Sequence, residues 1–216
     1  MHENIRVVCD GIMRFVGIDL AGSSTRPTGF CVVDERGRVR CKILYSDSEI
    51  VENVKRSGAK VAAIDAPLSL PKGRHCLEEH CRGRTHFRAC DRALSMMRIK
   101  FFPITIGPMR MLTARGIHIA ALLKKMHVEA IETFPGASQD ILGIPRKQKG
   151  VEALQSALRR LGCVGDLDSR QLTGDELDAI NCALVARAYV SGSYLAIGDP
   201  SEILMILPKP PQPHSA

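Results

Sequence analysis

Apolar positions fall into short runs and one-sided stripes, and two of the early runs close on an aspartate. Arg14-Phe-Val-Gly-Ile-Asp19 is one such run, followed by small residues from Ala21 to Gly29. Gly29 to Asp34 is a second run rich in β-formers. Arg38 to Tyr45 then alternates through Val39, Cys41, Ile43 and Tyr45, the period of a half-buried strand. Glu35-Arg-Gly37 is turn chemistry, so these three segments predict an antiparallel meander. Asp47 to Ser57 carries Ile50, Val51 and Val54 on one side and predicts a helix, with Ser46 or Asp47 to cap it and Gly58 to end it. Lys60 to Asp65 is a buried strand stopped by Ala66-Pro67. The order to this point is β-β-β-α-β.

From Pro71 to Met126 the pattern changes, with frequent Pro, Gly, Arg and His and helices expected near 86–97 and 110–126. This stretch reads as an insertion or cap over 71–126. Val128 to Phe134 predicts another strand, broken by Pro135-Gly136. Gly150 to Leu161 is an amphipathic helix, Asp175 to Val190 a strongly apolar one, and Ile203 to Leu207 a last strand. The reading is one α/β domain over 14–208, with an N-terminal extension over 1–13 and a Pro-rich tail over 209–216.

Composition narrows the class. The 216 residues are 45% apolar and 25% charged, ordinary for a globular protein. No run of about 18 apolar residues occurs, and no secretory leader is evident, so no membrane association and a cytoplasmic location are expected. In that setting the eight cysteines read as reduced thiols and not a disulfide framework. The formal charge is +7, which favours polyanionic partners. Between Lys72 and Lys100 stand eight Lys or Arg against three acids. Nucleic acid is the natural partner for such a patch, with Lys72, Arg84, Arg88 and Arg92 as candidate substrate-binding residues.

The acids carry the candidate chemistry. Asp19 and Asp65 each end a buried strand, where α/β sheets place their ligands. Glu132 lies near the end of a later strand, while Glu129 faces the other side of it. Thr173 with Glu176 fits a capping box, which leaves Asp178 unexplained on a helix that looks nearly buried. Asp175 and Asp178 share a face, and a buried carboxylate needs a cation, a metal or several donors. Ala179, Ala183 and Ala186 give that helix a small-residue face able to approach the sheet closely. A cluster drawn from Asp19, Asp65, Asp175 and Asp178 would suit Mg²⁺ or Mn²⁺, with Glu132 assisting.

The motifs Gly17-Ile-Asp-Leu-Ala21, Ala63-Ile-Asp-Ala-Pro67, Arg88-Ala-Cys-Asp-Arg92, Glu132-Thr-Phe-Pro135 and Asp178-Ala-Ile-Asn-Cys-Ala183, in this order, resemble the DUF429 family. Members of that family are predicted nucleases, so the resemblance implies a ribonuclease H-like mixed sheet and a metal-dependent nuclease. In the wider superfamily, acids come from the first strand, the fourth strand and a late helix, and Asp19, Asp65 and Asp178 match those places. An acid on the helix after the third strand has only Glu49 and Glu52 as candidates here, and Glu132 departs from the pattern.

Other readings remain open. Cys76, Cys81 and Cys90, among three histidines, are residue types that zinc accepts, although their spacing is not a paired C-x2-C form. The Gly17 to Ser24 stretch is similar to the first phosphate loop of actin-like ATPases and sugar kinases, which implies nucleotide binding instead. A non-catalytic nucleic-acid-binding protein is the third, although 4% aromatic content offers few stacking surfaces.

Overall fold

The alternating segments pair into the expected meander. β1 (Arg14–Asp19) lies antiparallel to β2 (Thr28–Asp34), with Asp19 opposite Gly29, and β2 lies antiparallel to β3 (Arg38–Leu44). The structure, a computed structural model, describes residues 11–78, 80–81 and 85–210. α1 (Asp47–Ser57) starts at Ser46, whose hydroxyl accepts from the Glu49 N–H while the Glu49 carboxylate accepts from the Ser46 N–H. Gly58 ends it in the left-handed region at φ 71°, where a side chain would be strained. β4 (Val61–Asp65) then pairs parallel to β1, with Ile18 beside Ile64.

The remaining elements are α2 (Ala89–Met96), α3 (Gly107–Lys125), β5 (Glu129–Thr133), α4 (Pro135–Leu142), α5 (Val151–Arg160), β6 (Val164–Gly165), α6 (Asp166–Ser169), α7 (Gly174–Val190), β7 (Tyr194–Ile197) and β8 (Met205–Pro208). All eight strands form one sheet in the order β6-β3-β2-β1-β4-β5-β8-β7. Within β3-β2-β1-β4-β5, only β2 opposes its neighbours. That is the ribonuclease H-like mixed sheet expected from the sequence.

Four elements go beyond the expectation: α4, β6, α6 and β7. Pro135-Gly136 follows the end of β5 as expected and also opens α4, where proline at a first helical position has no N–H to lose. β7 forms as an edge strand antiparallel to β8 and completes the sheet beyond β5.

Side chains alternate between two covered faces. Val16, Ile18, Phe30, Ala62 and Ile64 pack with Ile50 and Val54 of α1 and Ile119 and Leu123 of α3. On the other face Cys31, Val33 and Val39 meet Leu177, Ile180 and Ala183 of α7, while Phe15 and Ala63 meet Cys182 and Val185. Each fully buried aliphatic side chain contributes about 1.5–3 kcal/mol relative to exposure. Glycines in β1 and β2 set how closely α7 approaches. A β-carbon on Gly17 would stand 2.0 Å from the Ala179 carbonyl oxygen, and one on Gly29 would stand 2.0 Å from that of Asp175. The alanine face therefore lies against bare backbone, and the start of α7 reaches the C-terminal end of β1.

Candidate active site

Four aspartates gather at that end of the sheet. Asp19 and Asp65 close two neighbouring parallel strands, which are about 4.8 Å apart. Asp175 and Asp178 come from the first turns of α7, which Gly17 and Gly29 hold against β1 and β2.

A cation from another element sits among them. The Lys147 ammonium donates to Asp19 Oδ2 at 3.0 Å and to Asp175 Oδ1 at 2.9 Å, and stands 2.9 Å from Asp178 Oδ2. Lys147 belongs to a 3-10 turn (Lys147–Lys149) that precedes α5. Its stem passes Gly174, where a β-carbon would lie 3.0 Å from Lys147 Cδ, so the start of α7 leaves room for it. Gln139 of α4 fixes the other Asp178 oxygen, donating to Oδ1 at 2.6 Å.

The electrostatics follow from burial and crowding. Burial pushes the Asp19 carboxyl up to about 7; Lys147 pulls against this, and Asp178 and Asp175 add repulsion. Asp65 is raised well above the usual range by burial first and then by the Asp19 and Asp178 charges. Asp178 is also raised by burial, with Lys147 and Gln139 opposing. Burial works against the Lys147 ammonium, yet Asp19 and Asp178 outweigh it and raise its pKa. The donor set is all carboxylate oxygen, the hard kind that Mg²⁺ and Mn²⁺ take, so it fits such an ion in chemistry. Among the described residues no three His, Cys, Asp or Glu side chains, as they stand, form a ready metal-binding group. The position between the carboxylates belongs to Lys147.

Glu132 lies outside this cluster. It is 1% exposed and takes both terminal nitrogens of Arg88, at 2.6 and 2.7 Å, together with the Leu68 N–H at 2.8 Å. Arg88 also reaches Asp91 at 3.2 Å and is itself 1% exposed, so its terminal nitrogens are taken up by carboxylates. The other expected basic contacts are scattered: Lys72 and Arg92 are exposed, and Arg84 lies outside the described residues. Glu49 is occupied by its capping box and Glu52 by an exposed pair with Arg56. Cys76 is half-buried, the Cys81 sulfur accepts from the His75 N–H, and Cys90 packs with Leu94, Ala137 and Leu207. No metal-binding group among the described residues includes these thiols.

A cavity of about 160 Å³ opens beside Asp65, lined by Phe101, Phe102, Phe134, Ile104, Met109 and Leu112 together with Arg88, Glu132 and Thr133. Phe87 packs edge-on to Phe101 with ring centroids 5.9 Å apart, so four of the chain's six phenylalanines collect here. Low aromatic content overall therefore hid a local concentration.

A model of the family described as "Protein of unknown function (DUF429)" matches residues 17–203. The chain belongs to the DUF429 family. Asp19, Asp65, Asp178 and Lys147 all fall within the matched DUF429 region. A search of curated proteins returns no match. Among solved structures the DUF429 chain is similar to one titled "Thermus thermophilus RuvC structure", at 14% identity and a TM-score of 0.44, covering 83% of this chain and 97% of that one. The fold assignment itself rests on the strand order and directions described above. No helix among the described residues is long and apolar enough to cross a membrane.

Sequence reasoning missed Gln139, Lys147 and Arg115. Lys147 sits in a polar stretch with Arg146 and Lys149, and nothing local distinguishes it. Arg115 of α3 is buried and donates to the Ala21 and Ser23 carbonyls at 2.8 and 2.9 Å and to Asp47 at 2.8 Å. It ties down the loop that follows Asp19. An arginine between Leu112 and Ile119 on an apolar stripe was the one available sign.

Proposed function

We propose that this protein is a metal-dependent nuclease that hydrolyses phosphodiesters at the Asp19, Asp65, Asp175 and Asp178 cluster. The observation that carries this reading is the gathering of three carboxylates from β1 and α7 around a single ammonium, with buried Asp65 at the end of β4 close enough to feel their charge. So much like charge in a buried place favours a cation strongly. Asp19, Asp65 and Asp178 are the residues that would hold Mg²⁺ or Mn²⁺, with Asp175 at the rim. Such an ion supplies an activated water and charge stabilisation at the leaving oxygen. Lys147 keeps the carboxylates together and neutralises them until the ion takes its place. Arg88 and Glu132 brace β5 and the segment after β4, so Glu132 acts through position. The phenylalanine-lined cavity beside Asp65 offers an apolar surface for an unpaired base.

The test is cleavage of single- and double-stranded DNA and RNA with Mg²⁺ or Mn²⁺. Asp19→Asn abolishes cleavage while leaving the thermal transition cooperative; retained cleavage by that variant would remove the assignment. One observation favours a second reading. Because Lys147 already bridges three carboxylates, the cluster can be a closed ionic network in a non-catalytic nucleic-acid-binding protein. Nucleic-acid binding that ignores both divalent ions and Asp19→Asn would support it.

A further inference from the structure

A basic groove lies away from the carboxylates. It has a volume of about 540 Å³ and is lined by Arg14, Arg36, Arg38, Arg40, Lys42 and Arg56, with Asp34 as its one acid. The cations are ordered by the pleat. Val39 and Cys41 of β3 turn into the α7 face of the core, so Arg38, Arg40 and Lys42 all turn to the opposite face. Their neighbours in β2, Phe30 and Val32, form an apolar floor, and Arg56 from α1 closes one side.

Among the described residues, the side chains of Arg36, Arg38 and Arg40 make no hydrogen bond or ion pair with protein. Cations that merely decorate a helix usually find an acid three or four residues away. Here the row stands on a rigid strand, where successive members are about 6.8 Å apart. Consecutive phosphates along one strand of B-form DNA rise by about 3.4 Å on the helix axis while winding around it, so their through-space separation is longer than that rise and of the order of the step between the arginines.

We propose that this groove is a second binding site for the sugar–phosphate backbone of nucleic acid, distinct from the carboxylate cluster. Asp19 shares the α7 face of the sheet, whereas the groove lies on the α1 face, so one short segment of substrate does not meet both. The groove therefore grips nucleic acid that extends beyond the reacting segment, and affinity depends on length. This rests on the nuclease reading only for its purpose; binding in the groove requires neither a divalent ion nor Asp19.

The experiment compares the full chain with the triple variant Arg36→Gln/Arg38→Gln/Arg40→Gln, whose exposed side chains leave the core untouched. Binding to duplexes of about one and about four helical turns is measured by fluorescence anisotropy, in EDTA, across a salt series. Circular dichroism checks that the variant is folded. The groove predicts that the natural chain binds the long duplex more tightly than the short one. It also predicts that the triple variant lowers the salt slope by about 2–3 on the long duplex, as for the loss of three phosphate contacts. A salt slope unaffected by the triple variant, or no binding to either duplex, overturns the groove. Binding that follows the prediction in a protein with no cleavage activity keeps the groove and overturns the nuclease reading alone.

Discussion

The α-carbon of Gly17 faces the carbonyl oxygen of Ala179 so closely that an added β-carbon would stand 2.0 Å from it. This contact sets the distance between β1 and α7, and with it the distance between Asp19 and Asp178. Gly17→Ala pushes backbone against backbone, which side-chain rotation does not relieve. The expected cost is about 3 kcal/mol or more in urea unfolding, with weaker Mn²⁺ binding in whatever protein remains folded. A variant with unchanged stability would mean that α7 tolerates a shift and that the site is less rigidly set.

Arg88 and Glu132 form a buried pair, and breaking it from one side leaves a charge with no solvent. Arg88→Met is expected to destabilise the fold by about 3–5 kcal/mol near neutral pH. The loss shrinks as pH falls, because Glu132, already raised by burial, then takes a proton. The double variant Arg88→Met/Glu132→Leu recovers most of the stability. Chemical denaturation of the three proteins at pH 5 and pH 8 checks both points.

Asp19 predicts a pH dependence of the opposite sense to an ordinary salt-bridged carboxylate. Its folded pKa of about 7 lies above the ordinary aspartate value of 3.8, so the folded state holds the proton more tightly. Stability linked to this group is present below the unfolded pKa and is lost as pH rises toward 7. Asp19→Asn removes the titration. The melting temperature of the variant relative to the natural chain should therefore rise between pH 5 and pH 8; a constant difference would contradict the shift.

If a divalent ion binds at Asp19, Asp175 and Asp178 as proposed, it competes with Lys147 for the same carboxylates. Lys147→Met is expected to lower stability in EDTA at pH 8, since three acids lose their counter-ion. Added Mn²⁺ then raises the melting temperature by more in the variant than in the natural chain. Equal increments would indicate that ion and ammonium do not share a place.

Much of this arrangement is legible in sequence because it follows from periodicity. The alternation in β3 and the Asp19 and Asp65 strand ends place two acids together once the strands pair, and the alanine face of α7 delivers Asp178. The same period-2 row that buries Val39 and Cys41 also exposes Arg38, Arg40 and Lys42, so the basic groove was present in the spacing. Local charge density is a poorer guide: Arg88 stands in the basic stretch from Lys72 to Lys100 and is buried against Asp91 of its own stretch and Glu132 of β5. Lys147 lies 128 residues from Asp19, and only the packing of the turn before α5 against α7 brings them together. No local rule announces such a contact.

The most direct test is Mn²⁺ titration by calorimetry on the natural chain beside Asp19→Asn and Asp178→Asn. The account predicts binding to the natural chain that is lost in both variants, with all three proteins folded. Absence of binding to the natural chain, or binding that survives either substitution, would contradict a metal site built from Asp19 and Asp178.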